Sequence, residues 1–208
     1  MIAVVDYGAG NLRNICKALE FVGASIDLTD DPVRISRAAK VVLPGVGAFA
    51  DCANGLKKRG LWELMGKIGR SSTPFLGICV GMQLLFDVGE EMGTWQGLGL
   101  LKGRIVRFDF SSSASIQKHP LKIPHIGWNH VKPVNHHPLI KNVPNDGYAY
   151  FVHSYHAHEV AREDIIATTD YGYDFPCVVG SANVMGIQFH PEKSQDVGLC
   201  MLKNFVTL

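Results

Sequence analysis

Neither sign of charge prevails in this chain: 208 residues carry 20 lysine and arginine side chains against 19 aspartate and glutamate, a formal balance of +1. Such a balance supplies no general field to attract nucleic acid or an anionic membrane. Long apolar runs are missing as well. The stretches from Val41 to Ala50 and from Phe75 to Met82 are interrupted by Gly and Pro and fall far short of the ~20 residues that a membrane helix needs. Nothing is expected to span a bilayer. The N-terminus, Met1-Ile2-Ala3-Val4-Val5-Asp6, has no basic leader, no long apolar region and no small-residue cleavage site, so a cytoplasmic protein is expected rather than an exported one. Cysteine is sparse: five residues, at 16, 52, 79, 177 and 200, with no Cys-x-x-Cys pair. An odd number so spaced argues against a disulfide framework and a zinc ribbon, and most are expected to be small buried hydrophobes. No internal repeat is present.

What the chain does have is an apolar share of 47%, that of one ordinary globular domain over residues 1–208. At this length folding hides roughly 70% of the surface of the unfolded chain, enough for a core without cross-links. The first half alternates short apolar runs with helical spacing. Ile2 to Val5 reads as a buried strand, and Leu12, Ile15, Cys16, Leu19 and Val22 then fall on one helix face, with Gly23 as the stop. Ala24 to Leu28 and Val41 to Leu43 are further strands, Gly55 to Met65 a helix, and Phe75 to Ile78 another buried strand. This alternation predicts an α/β fold with a mainly parallel central sheet flanked by helices.

After Gly103 the pattern changes. Arg104 to Phe108, His130 to Val134, Tyr150 to Tyr155, Ile165 to Thr169, Cys177 to Ser181 and Val184 to Gln188 are short strands between turn residues, predicting antiparallel hairpins added to the sheet. Ser111 to Gln117, rich in serine, reads as an exposed loop. Ser194 to Val206 reads as a closing helix with Ser194 as its N-cap.

The sharpest local signal is Gly77-Ile78-Cys79-Val80-Gly81. It follows a buried strand and precedes the helical-looking run Met82 to Phe86, the strand, tight turn and helix context of a nucleophile elbow with Cys in place of Ser. Small flanking glycines tolerate a strained turn, and a sulfur at a helix N-terminus feels a positive dipole that favours thiolate. The other reading is a buried cysteine in a Gly-rich strand end. A nucleophilic cysteine needs a base and a group to orient it. Gly186-Ile187-Gln188-Phe189-His190-Pro191-Glu192 offers both at a strand end, His190 and Glu192 being two apart and so on one side of an extended segment; alone, it would be a surface turn. Leu43-Pro44-Gly45-Val46-Gly47 is a third strand end, whose Gly-rich turn can expose backbone N–H donors to an oxyanion.

Together these three elements resemble the triad-type (class I) glutamine amidotransferases. Over nearly the full chain the resemblance narrows to the glutaminase subunits of imidazole glycerol phosphate synthases, carried by Asp6 to Leu12, Leu43 to Phe49, Gly77 to Phe86, Pro124 to Asn129, Tyr150 to Tyr155 and Gln188 to Ser194. The resemblance implies Cys79 as nucleophile, His190 as general base and then acid, and Glu192 as its orienter. It implies an oxyanion hole from Val80 N–H and an N–H of the Gly45, Val46, Gly47 turn. Gln83 and Glu91 would bind glutamine, Glu91 attracting its ammonium, and the backbone near Ser154 and Tyr155 would hold its carboxylate end. Asn11, Trp128, Asn129, Tyr150 and Lys193 would face a partner, a cyclase subunit with a (β/α)8 barrel that uses the released ammonia to form imidazole glycerol phosphate. No organic cofactor is required by this chemistry. A paralogous amidotransferase subunit feeding another acceptor, and a non-catalytic α/β binding module, remain open at this point.

Two patterns point elsewhere only superficially. Gly8-Ala9-Gly10 after the first strand begins like a dinucleotide fingerprint, but the third glycine position holds Arg13. His153, His156 and His158 suggest a metal, yet no His-Glu-x-x-His accompanies them; polar strand histidines and no metal are expected.

Overall fold

The computed structural model describes residues 1–111, 121–145 and 147–208. In chain order it contains β1 (Ile2–Val5), α1 (Leu12–Phe21), β2 (Ile26–Thr29), α2 (Pro32–Ser36), β3 (Lys40–Gly45), α3 (Phe49–Lys58), α4 (Trp62–Gly69), β4 (Phe75–Cys79) and α5 (Val80–Gln83). There follow β5 (Val88–Gly89), β6 (Trp95–Gln96), β7 (Arg104–Arg107), β8 (His125–His130), β9 (Lys132–Pro133), β10 (Tyr148–His153), β11 (Tyr155–His158), β12 (Ile165–Asp170), β13 (Asp174–Ser181), β14 (Val184–Ile187) and α6 (Gln195–Thr207). The serine-rich stretch, apart from Ser111, lies outside the described residues.

The main sheet has the order β2-β1-β3-β4-β14-β13-β12-β9. Its first five strands are parallel and the last three are added antiparallel, the α/β arrangement that the sequence predicts. β1 and β4 are wholly buried, as is β3 from Val41 onward, which is why they read as continuous apolar runs rather than alternating ones. The strand order reverses at β1. With right-handed crossovers that reversal puts α1, which packs with α6, on one face and α2, α3 and α4, which pack together, on the other. Among the described residues no helix is long and apolar enough to cross a membrane.

Several local expectations change. The helix expected over Gly55 to Met65 is two helices, because Gly60 takes φ +68° and its N–H and that of Leu61 return to Lys57 and Leu56, closing α3 with a glycine stop. The strand expected at His130 to Val134 is displaced: β8 ends where it should begin, and only Lys132–Pro133 joins the sheet edge. Tyr150 to Tyr155 divides at Ser154 between β10 and β11. Of the later strands, β14 enters the main sheet parallel to β4 rather than as an added antiparallel strand, and β13, β12 and β9 extend it antiparallel. β8 and β10 form a separate antiparallel ribbon, and β11, β7, β5 and β6 a third sheet. Period-two patterning reveals that a strand has a buried face, not which sheet it joins.

The helical run from Met82 to Phe86 also stops early, α5 being one turn. The carbonyls of Leu84, Leu85 and Phe86 are taken by N–H groups of Leu98, Leu101 and Gly99 at 2.8 to 3.1 Å, so a tertiary partner replaces the next helical turn. A macrodipole at Cys79 is correspondingly small.

Candidate active site

Three neighbouring parallel strands deliver their C-terminal ends to one place. Gly45 at the end of β3 is in register with Cys79 at the end of β4, and Ile187 at the end of β14 is in register with Ile78, three residues before His190. Ligand crevices of open α/β sheets form at such strand ends.

Cys79 is buried and adopts φ 55°, ψ −116°. A left-handed conformation at a residue with a Cβ is costly and persists only where the surroundings impose it. Here they do: a Cβ on Gly81 would lie 1.9 Å from the Leu43 carbonyl oxygen, and one on Gly77 would lie 2.5 Å from that of Gly81. The elbow is therefore pressed against β3 with no room for a methyl group. Gly81→Ala is expected to destabilise the fold by about 1–3 kcal/mol or prevent it forming, read as a lowered midpoint in denaturant. An unchanged midpoint would contradict the close packing.

His190 and Glu192 meet through a 3-10 turn, Pro191–Lys193, rather than along an extended segment. His190 Nδ1 and Glu192 Oε1 are 2.9 Å apart, and the Glu192 side chain is wholly buried. That leaves Nε2 as the ring nitrogen not engaged by Glu192. Burial pulls the His190 imidazolium down, but hydrogen bonds with Cys79 and Glu192, reinforced by their charge, outweigh it and push it up to about 10. Histidine thus keeps its proton beside the sulfur across the neutral range.

Ser194 does not cap α6 with its side chain. Its hydroxyl instead donates to the His190 carbonyl at 2.6 Å and accepts from Tyr150 N–H at 2.9 Å. The expected helix cap is a brace for the His190 turn.

Val46, Gly47, Cys79, Val80, Gln83, Glu91, Ser154, Tyr155 and His190 line one cleft of about 320 Å³, together with Pro124, Val152 and His153. Gln83 is buried, and its amide N–H groups donate to the Tyr155 carbonyl and to Gln188 Oε1, both at 3.1 Å. Only Oε1 is left to meet a ligand. Glu91 Oε2 accepts Phe49 N–H at 2.7 Å, tying its carboxylate to the start of α3. In the Gly45 to Gly47 turn, the Val46 carbonyl accepts from Cys52 Sγ at 3.4 Å and Gly47 takes φ +96°. Tyr7, buried below, donates to the Pro44 carbonyl at 2.7 Å. A larger hollow of about 740 Å³ between Pro133 and Asn145 contains none of these residues.

Of the residues expected to face a partner, Trp128 is 48% exposed. It packs edge-on to Tyr150 with ring centroids 6.0 Å apart, and Lys193 Nζ lies 5.6 Å from the Tyr150 ring centre. These three form one surface beside the His190 turn. Asn129 belongs to the same ribbon, whereas Asn11 precedes α1, its carbonyl accepting from Asn14 and Ile15 N–H at 3.1 Å.

Sequence reasoning missed Tyr7, Cys52, Gln188 and the brace by Ser194. Their only signal was position within or beside the quoted motifs. The three histidines lie on strands as expected but on two of them: His153 ends β10, while His156 and His158 lie on β11, and His153 and His156 are buried. Burial lowers both, His153 to about 3 and His156 to about 4.

The fold and this cleft define a glutamine amidotransferase. Residues 3–208 match the family Glutamine amidotransferase class-I, and the chain belongs to that family. Within it the chain is similar to imidazole glycerol phosphate synthase subunit HisH of Salinibacter ruber, 48% identical with 100% of this chain and 94% of the relative covered. It is equally similar to subunit HisH 1 of Methanococcus maripaludis, 47% identical with both chains covered completely. Among solved structures, a glutamine amidotransferase superposes with TM-score 0.73 at 15% identity over 100% of both chains. PurLQS of Thermotoga maritima does so at 0.71 and 18%, over 99% of this chain and 96% of the other. At such identities these two likenesses concern the fold.

Proposed function

We propose that this chain is the glutaminase subunit of an imidazole glycerol phosphate synthase, hydrolysing glutamine to glutamate and ammonia for a cyclase partner in histidine biosynthesis. The observation that carries the chemistry is Cys79, at positive φ on its elbow, sharing a cleft with a His190 held by Glu192 at 2.9 Å. The full-length similarity to HisH subunits carries the choice among amidotransferases.

In this reading Cys79 Sγ attacks the side-chain amide carbon of glutamine, its proton having passed to His190 Nε2. The tetrahedral oxyanion is met by Val80 N–H, which has no acceptor one turn earlier in its helix, and by an N–H of the Gly45, Val46, Gly47 turn. His190 returns the proton to the leaving nitrogen, ammonia departs, and water cleaves the glutamyl thioester with His190 as base. Glu192, hydrogen-bonded to Nδ1, holds the ring with Nε2 toward the sulfur, and keeps the remaining proton on Nδ1 once Nε2 has given its own away. Gln83 Oε1 and the free face of Glu91 suit the substrate's ammonium, and the backbone at Ser154 and Tyr155 suits its carboxylate. The whole chain acts as one such domain, in the cytoplasm, and no cofactor enters any step.

The partner would be a cyclase subunit with a (β/α)8 barrel, docking on Trp128, Asn129, Tyr150, Lys193 and Asn11, with Lys193 against an acidic residue. The turn offers a gate. Glycines on both sides of Val46 permit a peptide flip that a β-branched residue alone resists, and among the described residues a weak thiol bond from Cys52 is what holds the Val46 carbonyl. Glutaminase assays of the lone subunit, the complex, and the complex with its acceptor test the reading. The lone chain is expected to be slow and the loaded complex faster by on the order of a hundredfold, the scale that placing one oxyanion donor contributes. Full activity in the lone subunit would remove the gate and leave the triad. Co-purification with the cyclase separates this reading from a paralogous subunit serving another acceptor.

A further inference from the structure

A directed chain of hydrogen bonds runs from the β8–β10 ribbon to the wall of the cleft. Its direction follows from its ends. The Tyr155 carbonyl can only accept, so His153 Nδ1, 2.8 Å away, carries the proton. Burial keeps His153 neutral near pH 7, so its Nε2 is an acceptor, and His125 Nδ1 donates to it at 3.2 Å. Burial also lowers His125, to about 4, leaving its Nε2 bare to accept from Asn129 Nδ2 at 3.3 Å. The Asn129 amide is oriented independently: Oδ1 accepts His130 N–H at 2.8 Å and Nδ2 also donates to the Asp170 carbonyl at 2.6 Å. At the cleft end, the Tyr155 carbonyl takes a second donor from Gln83 at 3.1 Å.

Tyr155 begins β11 directly after the break at Ser154, so this stretch of cleft wall passes from one sheet to another. An apolar side chain at 153 would pack among Phe108, Phe151 and Phe175, whose ring centroids lie 5.3 to 5.8 Å from that of His153, but it could not hold the carbonyl. A neutral imidazole does, and it adds no second positive charge beside protonated His190.

We infer that His153 and His125 are positioning residues for glutamine: their relay sets the Tyr155 carbonyl and, through it, the Gln83 amide, and makes that setting depend on Asn129 in the ribbon. This rests on reading the cleft as a glutamine site. Neither imidazole is assigned contact with the reacting atoms.

The test uses the whole chain with a glutamine analogue that alkylates Cys79, giving a half-saturating concentration and a limiting rate, alongside glutamine KM and kcat in the cyclase complex. His153→Leu is expected to raise the half-saturating concentration and KM on the order of tenfold or more, the scale of a buried polar group left unpaired, while the limiting rate changes far less. His153→Asn, whose amide nitrogen reproduces Nδ1, should recover most of the loss. Asn129→Ala, at the half-exposed end where folding is not at stake, should raise the same quantities by a few-fold in the lone chain. Equal values for His153→Leu and His153→Asn, a loss confined to the limiting rate, or unchanged saturation in Asn129→Ala would overturn the relay. A wild-type chain that neither hydrolyses glutamine nor is alkylated by its analogue overturns the glutamine reading instead.

Discussion

Cys79→Ala is expected to abolish glutamine hydrolysis, lowering kcat on the order of 10^5-fold or more, as loss of the nucleophile does in comparable triads. Cys79 is the one cysteine that ends a strand at positive φ in the cleft with His190. The substitution leaves a Cβ in place, so the elbow's packing against β3 is preserved and folding should survive. Cys16 and Cys177 are buried elsewhere, and Cys200 is half-buried on α6, so each changed singly to Ala should retain the chemistry. Cys52 contacts the oxyanion turn, and Cys52→Ala should also leave Cys79 able to form the thioester. Turnover of the cyclase complex and mass-spectrometric detection of a covalent glutamine-analogue adduct are the measurements. Comparable turnover in Cys79→Ala would end the assignment.

His190→Ala should be nearly as damaging, because in the proposed mechanism it removes the group that takes and returns the proton. Glu192→Ala should leave more residual activity, with kcat down on the order of 10^4-fold or less, since orienting an imidazole contributes less than supplying it. A second readout separates the roles. Glu192 helps raise the His190 pKa to about 10, and the donor form of His190 is lost as pH rises through that value. Without the carboxylate the value falls, so the alkaline limb of the pH–rate profile in Glu192→Ala should move to lower pH. Similar mild effects at both positions, with no movement of that limb, would make the His190 turn a structural feature only.

The buried parallel strands were legible because they are apolar on both faces, and α1 because Ile15, Cys16 and Leu19 repeat at helical spacing. The elbow was legible because strand, turn and glycines are contiguous: all its chemistry lies within five residues. Helix ends were less so. Nothing local says that Leu98, Gly99 and Leu101 will capture the carbonyls that would have lengthened α5, or that the Ser194 hydroxyl will turn back to His190 instead of forward along α6.

By itself the sequence determined the α/β class, the cysteine elbow after β4 and the nearness of His190 to Glu192, since each depends on residues close in the chain and on patterns of period two or 3.6. Tertiary structure alone decided that the ends of β3, β4 and β14 lie side by side, that the later strands divide among three sheets, and that His153, His125 and Asn129 line up behind the cleft. Such contacts join residues tens of positions apart, and the side-chain alternation that marks a strand carries no record of which neighbour will satisfy its edge or its buried polar groups.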